Sequence, residues 1–453
     1  MQWDRRWRAI VRFGLTVVVL AGASSAAGAV LVVDQQAPGA ADTNAATADA
    51  PLQTISAAVL RAQPGDTIMV KNGVYRESVE RKLAWETANE RITLMAWPTH
   101  RPVLKGSEVV TNRFVPVRVA LRRKIEELAR DTDYDPDAWR KRIGVDGPQA
   151  AVPAAPAAAT NEGLDHSTAE FVGIYACDWT NHTSLVFADE VLLTTIGLRC
   201  SPERVAKDPG GFRLVKEWEG RDVSDMRPGS AHYDAAAQKL YVWLPDGDDP
   251  NRHVIEAAVR CQGLTLYGTW TVSGFDIRHF QDGWKTYGEN ALVVAGRFPI
   301  IEHCRITHNG FIGVIIHGWD GVLRNCEIGW NGLNGLCLSL HWRLLIEGNE
   351  FYHNGWLGDV RCCALGDKIC SLKDTRILRN RFRDGHGLWC DINVNNTLIA
   401  ENVFENCACG VYFEISRWGV IVNNVFRNCN RGVWVYSSDT LVAHNVFDGC
   451  SAG

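Results

Sequence analysis

The chain has 453 residues, a net charge of −5 and charges of both signs throughout. That length suits two or three domains or one long solenoid, and the charge balance speaks against a nucleic-acid partner. The 41 glycines and 17 tryptophans point instead to tight turns and to aromatic surface that suits sugar rings.

Residues 1–29 read as an export signal. Arg5, Arg6, Arg8 and Arg12 precede the apolar run FGLTVVVLAGA, and Ala27-Gly28-Ala29 supplies a small-residue cleavage site. The protein is therefore expected to be secreted or periplasmic, with no membrane contact after cleavage. Residues 30–106 begin with a strand and a polar loop. A helix is expected over TISAAVLRAQ with Thr54 as its N-cap, then a PGD turn and the strand IMVKNGVY. This resembles the N-terminal segment of secreted right-handed parallel β-helix proteins, where the helix covers the open edge of the first coil.

Residues 107–258 break the pattern. KIEELARDTDYDPDAWRKR is helical and charged, PQAAVPAAPAAAT is a low-complexity linker, and SLVFADEVLLTT and KLYVWLPDGDDP are strand-like. The block is expected to be an inserted β-rich domain, a small sandwich, with the solenoid resuming near VIEAAVRCQGLTLYG.

Residues 259–453 are expected to form the solenoid coils, and from residue 300 the chain is self-similar. Repeats start at 300, 322, 345, 376, 398, 420 and 441, mostly 21–23 residues apart, with an insertion around WLGDVRCCALGDKIC. Each holds short alternating runs broken by Asn and Gly, the pattern of one coil of a parallel β-helix. Equivalent positions then form columns. One reads Cys304, Cys326, Asn349, Asn380, Asn402, Asn424, Asn445, an inward ladder of amides. Another reads Asn309, Asn331, Asn354, Gly385, Cys407, Cys429, Cys450, in which small thiols pack as buried hydrophobes. Although 14 cysteines in an exported chain usually mean disulfides, the stacked ones are expected to be reduced. Cys362, Cys363 and Cys370, in an irregular loop, are the better bridge candidates. The last repeat stops at CSAG, where its strand should begin, so a further coil or a cap is expected beyond it.

The stretch GLWCD (387–391) recurs one coil later as GVYFE (410–414). Alternation sends Leu388, Cys390, Val411 and Phe413 inward and Trp389, Asp391, Tyr412 and Glu414 outward. One outward column carries Trp389, Tyr412 and Trp434. The next carries Asp391, Glu414 and Tyr436, preceded by His317 and Ser339. Stacked strands lie about 4.8 Å apart, and retaining glycosidases hold their two carboxyl groups about 5–5.5 Å apart. The solenoid thus supplies a catalytic spacing from backbone geometry alone, although outward columns are also polar by default.

The segment GLWCDINVNNTLIAENVFENCACGVYFEIS resembles the active-site coils of β-helix glycoside hydrolases similar to glycoside hydrolase family 120, a β-xylosidase family. That family also carries a β-sandwich within its β-helix. The resemblance implies Asp391 as nucleophile and Glu414 as acid/base. It is closest over about 365–440 and does not extend to substrate identity. Trp389, Tyr412, Trp434, Tyr436, Lys368 and His317 are the candidate substrate-binding residues. Lys368 stands one coil before Trp389, where it is expected to be solvated, with contact to a sugar hydroxyl or to Asp391 as the alternative. His341, His353 and His386 lack metal-ligand spacing, so neither metal nor cofactor is expected.

These readings describe an all-β protein acting as a retaining glycoside hydrolase on plant or microbial oligo- or polysaccharides. Two alternatives remain open. A polysaccharide lyase would use Lys368 or Lys373 as base and the two acids as calcium ligands. A surface protein would only bind glycans through its aromatic column.

Overall fold

The computed structural model describes residues 28–84, 90–122, 173–197, 220, 222–281, 290–356 and 367–452. The signal segment, the charged helix and the Ala/Pro linker expected from the sequence lie outside these residues, as do Cys362 and Cys363. Among the described residues no helix is long and apolar enough to cross a membrane.

The repeats wind into a right-handed parallel β-helix with three strand faces. The third face shows its logic most simply. Strands Glu350–Tyr352, Arg381–Arg383, Val403–Glu405, Val425–Arg427 and Val446–Asp448 stack in parallel without a register slip. Their central residues Phe351, Phe382, Phe404, Phe426 and Phe447 point inward, with ring centroids 4.7, 4.9, 4.9 and 5.0 Å apart. That spacing is the distance between neighbouring strands, so one aromatic residue per repeat fills the core continuously.

The corners follow from the same repetition. Where the second face turns into the third, each coil places one residue in the left-handed region, among them Asn325 (φ 52°), Gly348 (φ 65°), Glu401 (φ 60°) and Asn423 (φ 57°). The next residue points inward and repairs the strand ladder interrupted by the turn. Asn349, Asn380, Asn402 and Asn424 are buried. The side-chain oxygen of Asn402 accepts from the backbone N–H of Asn380 at 2.8 Å and from its Nδ2 at 3.0 Å, while Asn402 Nδ2 donates to Ile377 O at 2.9 Å. Asn402 Nδ2 also donates to Asn424 Oδ1 on the following coil at 3.0 Å, so each amide ties the coil before it to the coil after it, as the inward column predicted. At the next corner Cys407 and Cys429 are buried free thiols, each donating weakly to the backbone carbonyl of Phe382 or Phe404 at 3.6 Å. Cys370 sits in the regular strand Asp367–Cys370, not in a loop as its sequence surroundings suggested.

The expected helix is Ile55–Arg61. Thr54 caps it by accepting from the Ala57 N–H at 3.1 Å, and the Glu77 carboxylate accepts the N–H groups of Ile55 and Ser56 at 2.8 and 3.0 Å. Its buried residues Ile55, Ala58 and Val59 join the solenoid core beside Val33, Val70 and Leu94.

The chain leaves the solenoid at Ser107 and builds two sheets. One joins Ser107–Val109, Ile255–Ala258, Val186–Ala188 and Val191–Leu192, all antiparallel. The other joins Val115–Pro116, Ile174–Asp178, Lys239–Trp243, Ser230–Asp234 and Thr194–Ile196, antiparallel except for its last pair. Phe114, Trp179, Val186, Leu240, Val242 and Ile255 fill the space between them, which makes a β-sandwich. Ile255–Ala258 belongs to this sandwich, so the solenoid resumes at Leu264–Tyr267, slightly later than the sequence pattern suggested.

Candidate active site

The first face carries the acid pair. Strand Leu388–Asp391 lies in parallel register with the start of Cys409–Val422, pairing Leu388 with Val411, Trp389 with Tyr412 and Cys390 with Phe413. Leu388, Cys390, Val411 and Phe413 are buried in the core. Asp391 and Glu414 therefore occupy equivalent outward positions on adjacent coils, about 4.8 Å apart along the stack. Tyr436 follows in the same column, in register with Glu414.

The two carboxylates have different partners. Lys368, in register with Trp389 on the preceding coil, places Nζ 2.9 Å from Asp391 Oδ2 and 3.9 Å from the centre of the Trp389 ring. It is only 5% exposed, and Asp391 7%. The expectation of a solvated lysine is thus corrected. An aromatic face and a carboxylate together offset the desolvation of the ammonium. Glu414 is half-buried and meets neutral donors: Trp389 Nε1 donates to its Oε2 at 3.0 Å, and the Tyr412 hydroxyl also bonds it. Burial, followed by that hydrogen bond, pushes the Tyr412 hydroxyl up to about 12.

The outward aromatic column is present but closed. Trp389 and Tyr412 stack at 5.7 Å and 21°, Tyr412 and Trp434 at 4.3 Å and 19°. Trp389 and Tyr412 therefore spend ring area on each other, Trp389 also on Lys368, and turn their polar tips to Glu414. More exposed aromatic surface lies further along, at Trp434 (41% exposed), whose ring also carries the Arg431 guanidinium at 4.1 Å, and at Tyr436 (68%). His317 is not brought to the pair: it stands three coils before Asp391 in the same column, about 14 Å away at the strand spacing.

At the opposite end of the strand, Tyr352, Asp367, Arg383 and His386 line a small cleft. Asp367 is buried, and burial raises its carboxyl to about 7 although it accepts the Leu336 N–H at 2.9 Å. His386 lies lower than a free histidine because it is desolvated.

A second charged cluster escaped the sequence reading because its members are far apart in the chain. Glu190, Glu256 and His279 lie close enough together for a metal ion. Lys105 Nζ already sits 2.6 Å from Glu190 Oε1 and 2.6 Å from Glu256 Oε2, and Arg76 also pairs with Glu256. Burial is the largest effect on Glu256, yet its bonds to His279, Lys105 and Arg76 outweigh it and hold the carboxyl well below the usual range. The His279 ring stacks on Phe187 at 3.5 Å. Arg278 also pairs with Glu190 Oε2 at 3.2 Å, and with three cations present the cluster serves as an ionic clamp between sandwich and solenoid.

Comparison with known proteins agrees with this architecture. The family model for a right-handed beta helix region matches residues 290–452. No curated protein matches the chain. Among solved structures, the complex of XylC with xylose is 18% identical, with a TM-score of 0.56 over 92% of this chain and 69% of XylC. A structure described as a glycoside hydrolase is 10% identical, with a TM-score of 0.55 over 93% of this chain and 96% of its own. At such identities the likeness is one of fold, and the chain shares the parallel β-helix architecture of these structures.

Proposed function

We propose that this protein is a carbohydrate-active enzyme, a retaining glycoside hydrolase in which Asp391 is the nucleophile and Glu414 the acid/base. The observation that carries this reading is the different partnership of two carboxylates on successive in-register coils: a cation at Asp391, neutral donors at Glu414. Nucleophilic attack needs an ionised carboxylate, and Lys368 is its counter-charge. Asp391 Oδ1 attacks the anomeric carbon while the glycosidic C–O bond breaks and Glu414 gives its proton to the departing oxygen. Glu414, now a carboxylate, takes a proton from water. That water's oxygen attacks the anomeric carbon and releases Asp391, restoring both acids.

The lyase alternative is less well supported. Its base must be free to accept a proton, whereas Lys368 is committed to Asp391 at 2.9 Å, and Lys373 stands in the corner column, in register with Asn395, outside the acid column. The purely glycan-binding alternative relies on open aromatic faces; Trp389 and Tyr412 are stacked on each other, which leaves it Trp434 and Tyr436. Likeness of fold to the xylose complex makes xylosides the first substrates to try, and the basic, apolar N-terminal segment supports export.

The test is the anomeric configuration of the first-formed product, followed by NMR during hydrolysis of aryl xylosides and of plant and microbial oligosaccharides. Retained configuration is expected. Inverted product would sink the assigned mechanism, and unsaturated, ultraviolet-absorbing product would establish the lyase.

A further inference from the structure

Between the acid column and the next corner column, the solenoid changes its residue count. One residue intervenes on the coils of Ala295 (Gly296) and His317 (Gly318), and one on the coil of Tyr436 (Ser437). Two intervene on the coil of Cys370 (Ser371, Leu372) and two on that of Glu414 (Ile415, Ser416). The Asp391 coil has three: Ile392, Asn393 and Val394. The coil of Ser339, with Leu340 and His341, also has two. The corner therefore swells into a ridge that is highest beside Asp391 and gone within two coils on the C-terminal side. Local bulges of this kind re-aim side chains and recur next to active sites.

The residues on its crest are unexpected. Ile392 has φ 46° and Ile415 φ 48°. Thr99 is the only other β-branched residue with positive φ among the described residues. Glycine and asparagine tolerate this region, whereas a β-branched side chain there is an outlier that surrounding structure must impose. Packing does not explain the choice, because Ile392 is 46% and Ile415 55% exposed. The two stand on adjacent coils, with the Asn393 N–H donating to Ile415 O at 3.0 Å, and each directly follows one of the acids. The residues beneath them are buried, Val394 at 0% and Ser416 at 3%, so the ridge has a solid base. A strained backbone carrying exposed aliphatic groups at the mouth of a site is what a binding surface requires and a solenoid corner does not.

We infer that Ile392 and Ile415 form an apolar lip that contacts the C–H face of the sugar ring at the cleaved linkage, making them specificity-determining residues of the site. This rests on the acid pair being the reaction centre. The lip excludes water from one side of the ring and leaves hydroxyl contacts to Glu414 and the Tyr412 hydroxyl.

The experiment replaces both isoleucines with asparagine, which accepts the left-handed backbone, and separately with glycine. Two quantities are read: the thermal unfolding midpoint, and kcat and KM on the best substrate of the aryl glycoside and oligosaccharide screen. The midpoint of the asparagine variant should rise as strain is released, the glycine variant serving as the fully permissive backbone, while kcat/KM of both falls about tenfold or more, mainly through KM. A midpoint that rises with kinetics unchanged within about twofold would overturn the inference, since the lip would then touch nothing. So would a lower midpoint, which would give the isoleucines a packing role. If the unmodified protein turns over no substrate, the hydrolase reading fails on its own. The lip is then judged by calorimetric titration of xylotetraose, cellotetraose and mannotetraose into the Asp391→Ala protein with and without the isoleucines. Weaker binding without them supports it, and equal or undetectable binding in both sinks it.

Discussion

Lys368 Nζ lies 2.9 Å from Asp391 Oδ2 across adjacent coils, with side chains only 7% and 9% exposed. A buried pair of this kind is costly to break from one side, because the remaining charge is stranded. Lys368→Met should therefore destabilise the fold by about 3–5 kcal/mol and depress turnover. Adding Asp391→Asn to Lys368→Met should recover much of the stability and none of the activity. Urea midpoints and kcat for the two singles and the double check this. Additive losses would show that the pair is not coupled.

The two acids should separate on mutation. Asp391→Ala removes the nucleophile, so activity should collapse on every substrate, and azide should restore part of it with inverted product. Glu414→Ala removes the proton donor, so aryl glycosides with good leaving groups should survive best, and azide rescue should give retained product. Product configuration by NMR is the measurement. The same outcome for both variants would remove the assigned roles.

Asp367 gives the solenoid a pH dependence unlike that of a paired carboxylate. Burial raises its carboxyl to about 7 from an ordinary 3.8. Between these values the folded chain holds the proton more tightly than the unfolded one, so this group's contribution is fully present below pH 3.8 and lost as pH rises through 7. Asp367→Asn keeps an acceptor for the Leu336 N–H and has no charge to bury. It should raise stability at pH 8, with little change at pH 4. Urea unfolding at both values checks the sign, and equal effects at the two would refute it.

The amide ladder should be expensive to interrupt. Asn402→Ala strips partners from the Asn380 N–H and from Ile377 O within the core, a loss of at least about 2 kcal/mol. The neighbouring thiols Cys407 and Cys429 are buried and free, and should react with thiol reagents only once the chain unfolds. Denaturant titration monitored by thiol labelling tests both; rapid labelling of the native protein would contradict the assigned packing.

The sequence alone determined the solenoid, its asparagine and thiol columns, the capping helix and the adjacency of Asp391 and Glu414. In a repeat protein each coil meets mainly its neighbours, so recurrence at 21–23 residues fixes register, and register fixes which side chains stack. The tertiary structure decided what period alone cannot carry. Lys368 is buried although its column faces outward, because Trp389 and Asp391 converge on it from the next coil. Trp389 and Tyr412 close their faces on each other. Lys105, Glu190, Glu256 and His279 join across the sandwich and the solenoid from distant parts of the chain. The corner beside the acids widens by residues that the repeat does not predict. Each of these depends on where a departure from the period is absorbed in space, a property of the packed coils and not of any one of them.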